Sequence, residues 1–299
     1  LKRAISARDA IILELRQKIE ALERGAAPRA GPAPGDPAPA AAAEDEELSR
    51  ALERTLVQQG GLLLLRFAYE LQPEASYANW DRSRGPLRSS SGAALSLRAG
   101  LPWESQFQLR VPYVHVRTAT GSATALGDID LSLSKQIARE TAGRPGLIAS
   151  LGWTVRTGRD GFDGGVPTGS GFNVLQAGLT AVKRSDPLMR YGGVSYAVPL
   201  SRQMSGNEIA PGDTFGLRLG TILAASPDTA VNLGLNLGFV RPTRLSGQSV
   251  ADTDTVLGTL QIGVGTILTR NMLLNVAGEF RVSGNAPNFR LTVTLPIRF

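Results

Sequence analysis

The chain has no cysteine and one histidine, His115, in 299 residues. Without thiols there is no disulfide framework and no thiolate metal site, and a single imidazole excludes a histidine-built metal centre. Apolar runs stay short, as at Leu62 to Leu65, far below the roughly 18 residues that a membrane helix needs. Membrane residence must therefore come from strands. Neither a Gly-x-Ser-x-Gly elbow nor a phosphate loop ending in Gly-Lys-Ser/Thr occurs, and Tyr113, His115 and Ser122 fit no catalytic motif. His115 reads as a rim histidine, and no enzyme activity, cofactor or metal is expected. The 32 Lys and Arg against 26 Asp and Glu give a net charge of +6. They are mostly Arg, scattered singly among strand segments, so no nucleic-acid partner is expected and a solvated or lumen-lining role fits better.

What is present divides into four parts. In residues 1–24, Ile5, Ile12 and Ile19 repeat every seven residues, with Leu1, Leu15 and Leu22 on the second register. These are the a and d positions of a coiled coil, and Arg8 spoils one layer. Ile at a with Leu at d favours a parallel dimer, whereas Lys18, Ile19, Leu22 and Glu23 resemble a trimer signature with Lys in the Arg place. A homotrimer is the expectation. The alternative is a lone amphipathic helix, because so short a coil is marginal by itself. Residues 25–43, GAAPRAGPAPGDPAPAAAA, hold five prolines and almost no bulky side chains. Such a segment cannot build a core and acts as an extended tether with a reach of about 60 Å.

Residues 44–60 carry a short helix signal. Glu44, Asp45, Glu46 and Glu47 sit where the positive end of a helix dipole favours them. Leu48, Leu52 and Leu56 form one stripe, Arg50, Glu53 and Arg54 cover other faces, and Gly60 and Gly61 stop the helix. At roughly 24 Å long and 10 to 12 Å across, it nearly matches the roughly 25 Å apolar band of an outer-membrane barrel. The reading is a plug helix inside a pore. Its charges pair with lumen charges, its leucines lie on an apolar wall, and Gly60–Gly61 is the hinge. The alternative is a second coiled-coil segment, since Leu48, Leu52, Thr55 and Gln59 also fall on d and a positions.

Across residues 61–299 the apolar period changes to two. The last strand is clearest: Phe289, Leu291, Val293, Leu295, Ile297 and Phe299 point one way, Arg290, Thr292, Thr294 and Arg298 the other. Segments near 67–79, 92–101, 105–117, 126–138, 146–157, 173–184, 188–199, 213–225, 229–240, 254–267, 271–283 and 288–299 predict an all-β transmembrane barrel of 12 antiparallel strands. An even count returns both ends to one side, here the periplasmic one. Connections near 101–104, 226–228 and 269–271 are short and inside; those near 157–172, 200–212 and 241–253 are long and outside. Phe67, Trp103 and Phe299 mark an inner aromatic girdle, and Tyr77, Trp80, Tyr113, Phe215, Phe239 and Phe289 an outer one. The face opposite the leucines carries Glu70, Glu74, Arg98, Arg110, Asp128, Asp130, Arg156, Arg218, Glu279, Arg281 and Arg290 as candidate pore-lining residues. A soluble sandwich alternates likewise, but it leaves the terminal Phe, the girdles and the loop lengths unexplained.

The run LERTLVQQGGLLL, Leu52 to Leu64, followed by YELQPEASYANW, Tyr69 to Trp80, resembles the outer-membrane channel that exports functional-amyloid subunits in the Fap system of pseudomonads. The order of stalk, Pro/Ala linker, short helix and strand domain resembles it too, and the barrel looks more distantly like the outer-membrane family associated with phenol-degradation clusters. Where that pattern has prolines after the leucine run, this chain has Leu65 and Arg66. The resemblance implies a trimeric 12-stranded barrel in the bacterial outer membrane, a periplasmic coiled coil, and an internal helix that must move for unfolded, biofilm-forming amyloid subunits to pass. Two rivals stand beside it: an uptake channel for small hydrophobic molecules, and a tether in which the barrel only anchors the coiled coil in outer-membrane lipid.

Overall fold

Alternation of period two places every second side chain on one face of a strand, and a sheet with apolar side chains on one face and charges on the other must find two different surroundings. The computed structural model describes residues 62–299, apart from 82, 84, 163, 186, 205 and 285. The expectations for residues 1–24, 25–43 and 44–60, with Gly61, fall outside the described residues.

The described chain forms β1 (Tyr69–Asn79), β2 (Leu87–Leu101), β3 (Ser105–Thr118), β4 (Ser122–Leu126), β5 (Ile129–Ala138), β6 (Gly146–Val155), β7 (Val174–Ser185), β8 (Leu188–Pro199), β9 (Arg202–Met204), β10 (Asn207–Ala210), β11 (Thr214–Ser226), β12 (Thr229–Val240), β13 (Arg244–Leu245), β14 (Gln248–Ser249), β15 (Thr255–Thr269), β16 (Met272–Ser283), β17 (Phe289–Thr294) and β18 (Ile297–Arg298). Fourteen of them make one antiparallel sheet that closes where β1 pairs with β17 and β18. Since β4 with β5, and β17 with β18, are halves of single staves, the closed sheet is a barrel of 12 staves. Closure leaves no stave of the described barrel with an open edge towards lipid.

Beside the chain's described ends the connections 102–104, 227–228 and 270–271 are short and 139–145 is of middling length, while the opposite end carries the long 156–173, 200–213 and 241–254. Outward-facing Leu95, Leu133, Leu151, Trp153, Leu219, Leu233 and Ile262 are exposed around the wall. An apolar belt of that extent is stable only against hydrocarbon, which fixes the barrel in a membrane.

Three details differ from the sequence expectation. The second strand starts at Leu87 rather than near 92, and the first at Tyr69 rather than 67. The staves expected to run unbroken over 126–138 and 288–299 are each interrupted. Proline supplies the reason, since it has no N–H to give the ladder. Gly127 turns out of register opposite Pro112, and Pro296 separates β17 from β18. Two of the long outer loops, moreover, are not plain loops. They fold into hairpins that join as the small sheet β14-β13-β10-β9.

Candidate functional site

The interior of the barrel is the site, and cross-strand register assembles it. Partners directly opposite in an antiparallel pair share a face, so Glu70 opposite Arg98 on β2 and Arg298 on β18 brings three charges together. Glu70 Oε1 accepts from Arg98 Nη1 at 3.1 Å, and its Oε2 accepts from Arg298 Nε at 2.9 Å. The Glu70 side chain is 1% exposed. Arg98 also donates from Nε to Gln108 Oε1 at 3.2 Å. Two registers further towards the outer end, Arg110 reaches Glu74 at 2.9 Å and Asp130 at 3.4 Å, and Thr154 donates to Asp130 Oδ1 at 2.7 Å. Glu279 with Arg290 at 3.5 Å, and Asp81 with Arg281 at 3.8 Å, continue the ladder on the other side of the seam. Alternating sign along one wall lets each charge find an opposite neighbour, which lowers the cost of taking it out of bulk water.

The facing wall is apolar. Val182, Met189, Tyr191, Ile222, Ala224 and Ala230 form a buried cluster on β7, β8, β11 and β12. Tyr191 donates its hydroxyl to Asn232 Oδ1 at 3.1 Å, and the Arg218 guanidinium lies over its ring at 5.3 Å. The ring lies across Gly220, where a Cβ would stand 2.3 Å from it, so only glycine fits.

Depth separates two zones. Towards the short-turn end, inward Met189, Ile222, Ala230, Glu70 and Ser96 are all within 1% of fully buried, whereas inward Gln176 near the outer end is exposed. Residues 62–67 run across the short-turn mouth. Leu62 packs on the apolar cluster, the Leu64 N–H donates to Gln106 Oε1 at 2.9 Å, and Phe67 N–H donates to Gly100 O at 2.8 Å. Leu65 O lies 1.9 Å from where a Cβ on Gly100 would be, so Gly100 is the notch through which the segment reaches β1.

Among the expected lumen residues, Glu70, Glu74, Arg98, Arg110, Asp130, Arg218, Glu279, Arg281 and Arg290 lie on the inner face. Asp128 does not join the ladder. Sitting in the break between β4 and β5, it accepts from Ser170 N at 2.6 Å, Ser170 Oγ at 2.7 Å and Gly158 N at 2.9 Å, tying loop 156–173 to the wall. Arg156 belongs to that loop at the outer mouth, not to a strand. His115 faces outward, its Nδ1 2.7 Å from Thr124 Oγ1. Three participants escaped the sequence reading: Gln106, Gly100 and Tyr191. Only the last carries a signal, being an aromatic on the inward register of a strand.

The outer loops are clamped to each other. Arg202 Nη1 donates to Asp160 Oδ2 at 2.6 Å, joining loop 156–173 to β9. The Arg202 hydrogen bond first, and the Phe162 N–H second, hold the Asp160 carboxyl below the usual carboxylate range. Because the folded-state value is depressed, the clamp is in full force above the ordinary carboxylate pKa and is lost as pH falls through the lowered one. A spin label at Gly165→Cys, which has open space around it, is expected to gain mobility on acidification through that range. Asp160→Asn should be mobile at every pH; a label whose mobility ignores both pH and the substitution counts against the clamp.

No family model matches the sequence. The structure is similar to an outer-membrane channel from Pseudomonas putida F1, with a TM-score of 0.67 and 15% identity, over 80% of this chain and 97% of that one. It is also similar to the NanC porin, with a TM-score of 0.52 and 8% identity, over 76% of this chain and 98% of that one. At these identities the likeness is one of fold: an outer-membrane β-barrel of the channel and porin type.

Proposed function

We propose that the chain is a gated, non-enzymatic export pore of the bacterial outer membrane, closed by residues 44–60 lying in the short-turn half of the lumen. The observation that carries this reading is the path of residues 62–67, which leave the apolar wall inside the barrel at Leu62 and cross the mouth to β1. That path supports a plug that would enter the lumen from the Leu62 side. The charged ladder offers partners to Arg50, Glu53 and Arg54, and the apolar cluster offers a seat to Leu48, Leu52 and Leu56. The cargo is the class implied by the Leu52 to Leu64 resemblance, unfolded amyloid subunits, and the stalk at Ile5, Ile12, Leu15, Ile19 and Leu22 joins three copies in the periplasm.

Absence of native cysteine makes crosslinking a clean test. Leu52→Cys paired with a cysteine at Ile222, Ala230 or Ser96 is expected to form a disulfide on mild oxidation, read as a band resistant to unfolding on gels. Failure at every wall position tried defeats the plug. One observation favours a second reading, uptake of small hydrophobic molecules: the apolar cluster around Tyr191 is itself a suitable lining. That reading predicts that apolar solutes enter liposomes through the chain lacking its stalk, whereas export requires the stalk.

A further inference from the structure

On the outside of the barrel, at its outer end, lies a trough that the pore does not use. Its floor is β2, where Ser89 and Ser91 face outward with small side chains. On the β1 side stand Tyr77 opposite Ser91 and Asn79 opposite Ser89. On the β3 side, His115 stands opposite Ser91 and Arg117 opposite Ser89. Bulky flanks around a serine floor leave a cavity of about 610 Å³, to which Trp80 and Arg88 also contribute. A bulge between Leu87 and Ser89 turns Arg88 into it, with Nη1 held on Gly85 O at 2.7 Å.

Its chemistry is uneven. Two arginines line it and no carboxylate does. Arg117 is exposed and makes no ion pair or side-chain hydrogen bond among the described residues. Asn79 Oδ1 is buried at the trough and has no hydrogen-bond donor. A guanidinium pair calls for an anion with several acceptor oxygens, such as phosphate. An orphaned amide oxygen calls for a hydroxyl or N–H, and Tyr77 with Trp80 offers apolar ring faces to a sugar. Depth narrows the source: Tyr77 and Trp80, which line the trough, belong with Tyr113, exposed on the same outward face four residues before Arg117, to the outer aromatic girdle, so the trough sits at the girdle, level with lipid headgroups.

We propose that this trough binds the phosphorylated sugar headgroup of the outer-leaflet glycolipid, lipopolysaccharide, with Arg117 and Arg88 on a phosphate and Asn79 on a sugar hydroxyl or amide N–H. The binding is independent of whether the lumen exports or imports. The test uses the full chain in phosphatidylethanolamine nanodiscs, titrated with deep-rough lipopolysaccharide, with phosphatidylglycerol and with inorganic phosphate, and followed by the thermal midpoint and by native mass spectrometry of bound lipid. Lipopolysaccharide is expected to bind saturably. Arg117→Ala should weaken it about tenfold. Arg190→Ala, an outward arginine at the opposite end of the barrel, should leave it unchanged. Wild-type affinity in Arg117→Ala overturns the proposal. So does equal binding of phosphatidylglycerol or inorganic phosphate, which makes the trough an unspecific cationic patch.

Discussion

Deleting residues 44–59 is expected to turn a nearly silent protein into a steadily open channel in planar bilayers. The size of the effect follows from what would hold the helix in the closed state proposed above. Half-burying Leu48, Leu52 and Leu56 against the apolar wall is worth about 3 kcal/mol in all. A closed state favoured by that amount leaves the pore open roughly one part in a hundred, so removing the helix raises open probability about a hundredfold. Replacing the three leucines by serine should give much of the same rise while leaving the chain's length intact. Changing Arg50, Glu53 and Arg54 to glutamine should do less, because pairs formed in a wet lumen are screened. Equal conductance of the intact and shortened chains sends the helix outside the lumen, and the uptake and tether readings then move ahead.

Glu70→Ala is expected to be among the most damaging single substitutions in the wall. Glu70 joins the first strand to the last, through Arg298, and to the second, through Arg98. With the Arg98 side chain only 8% exposed, removing the carboxylate strands a buried cation beside a second one. Breaking a buried pair from one side costs about 3 kcal/mol or more. The measurable consequence is a lower midpoint for the gel shift that separates folded from unfolded barrel, and slower refolding, since the affected pairing is the one that closes the sheet. The double change Glu70→Leu with Arg98→Leu should recover part of the loss, because the deeply buried cation is then gone and the one that remains, Arg298, has a side chain 31% exposed to water. Glu104 and Arg139 pair at the short-turn rim with the arginine side chain 78% exposed, and Glu104→Ala should cost less than about 1 kcal/mol. A Glu70→Ala barrel that melts and refolds like the native chain refutes the role given to this triad.

The closed barrel, its 12 staves and the direction each stave faces were legible because they rest on local periodicity. Alternation of Phe289, Leu291 and Val293 with Arg290, Thr292 and Thr294 needs no long-range information: a pleated strand must present one set to each side. Loop length carried the orientation in the same way. Pro112 and Pro296 were equally visible, but their effect was not, since a missing N–H interrupts the ladder at a place set by the neighbouring strand's register.

What the tertiary structure alone decided is who meets whom. Glu70 and Arg298 are 228 positions apart, and only closure of the sheet brings them to 2.9 Å. Asp128 shows the limit from the other direction. Its sequence neighbourhood resembles that of Asp130, yet it sits in a strand break and is consumed by Ser170 and Gly158 of a distant loop, whereas Asp130 keeps its place in the ladder. Gly100 could not be read as a notch without Leu65 lying on it. Periodicity along the chain thus determined the wall and its two faces, because side-chain direction is a local property. The pairing of charges, the apolar cluster around Tyr191 and the path of residues 62–67 across the mouth waited on closure, because register between distant strands is not.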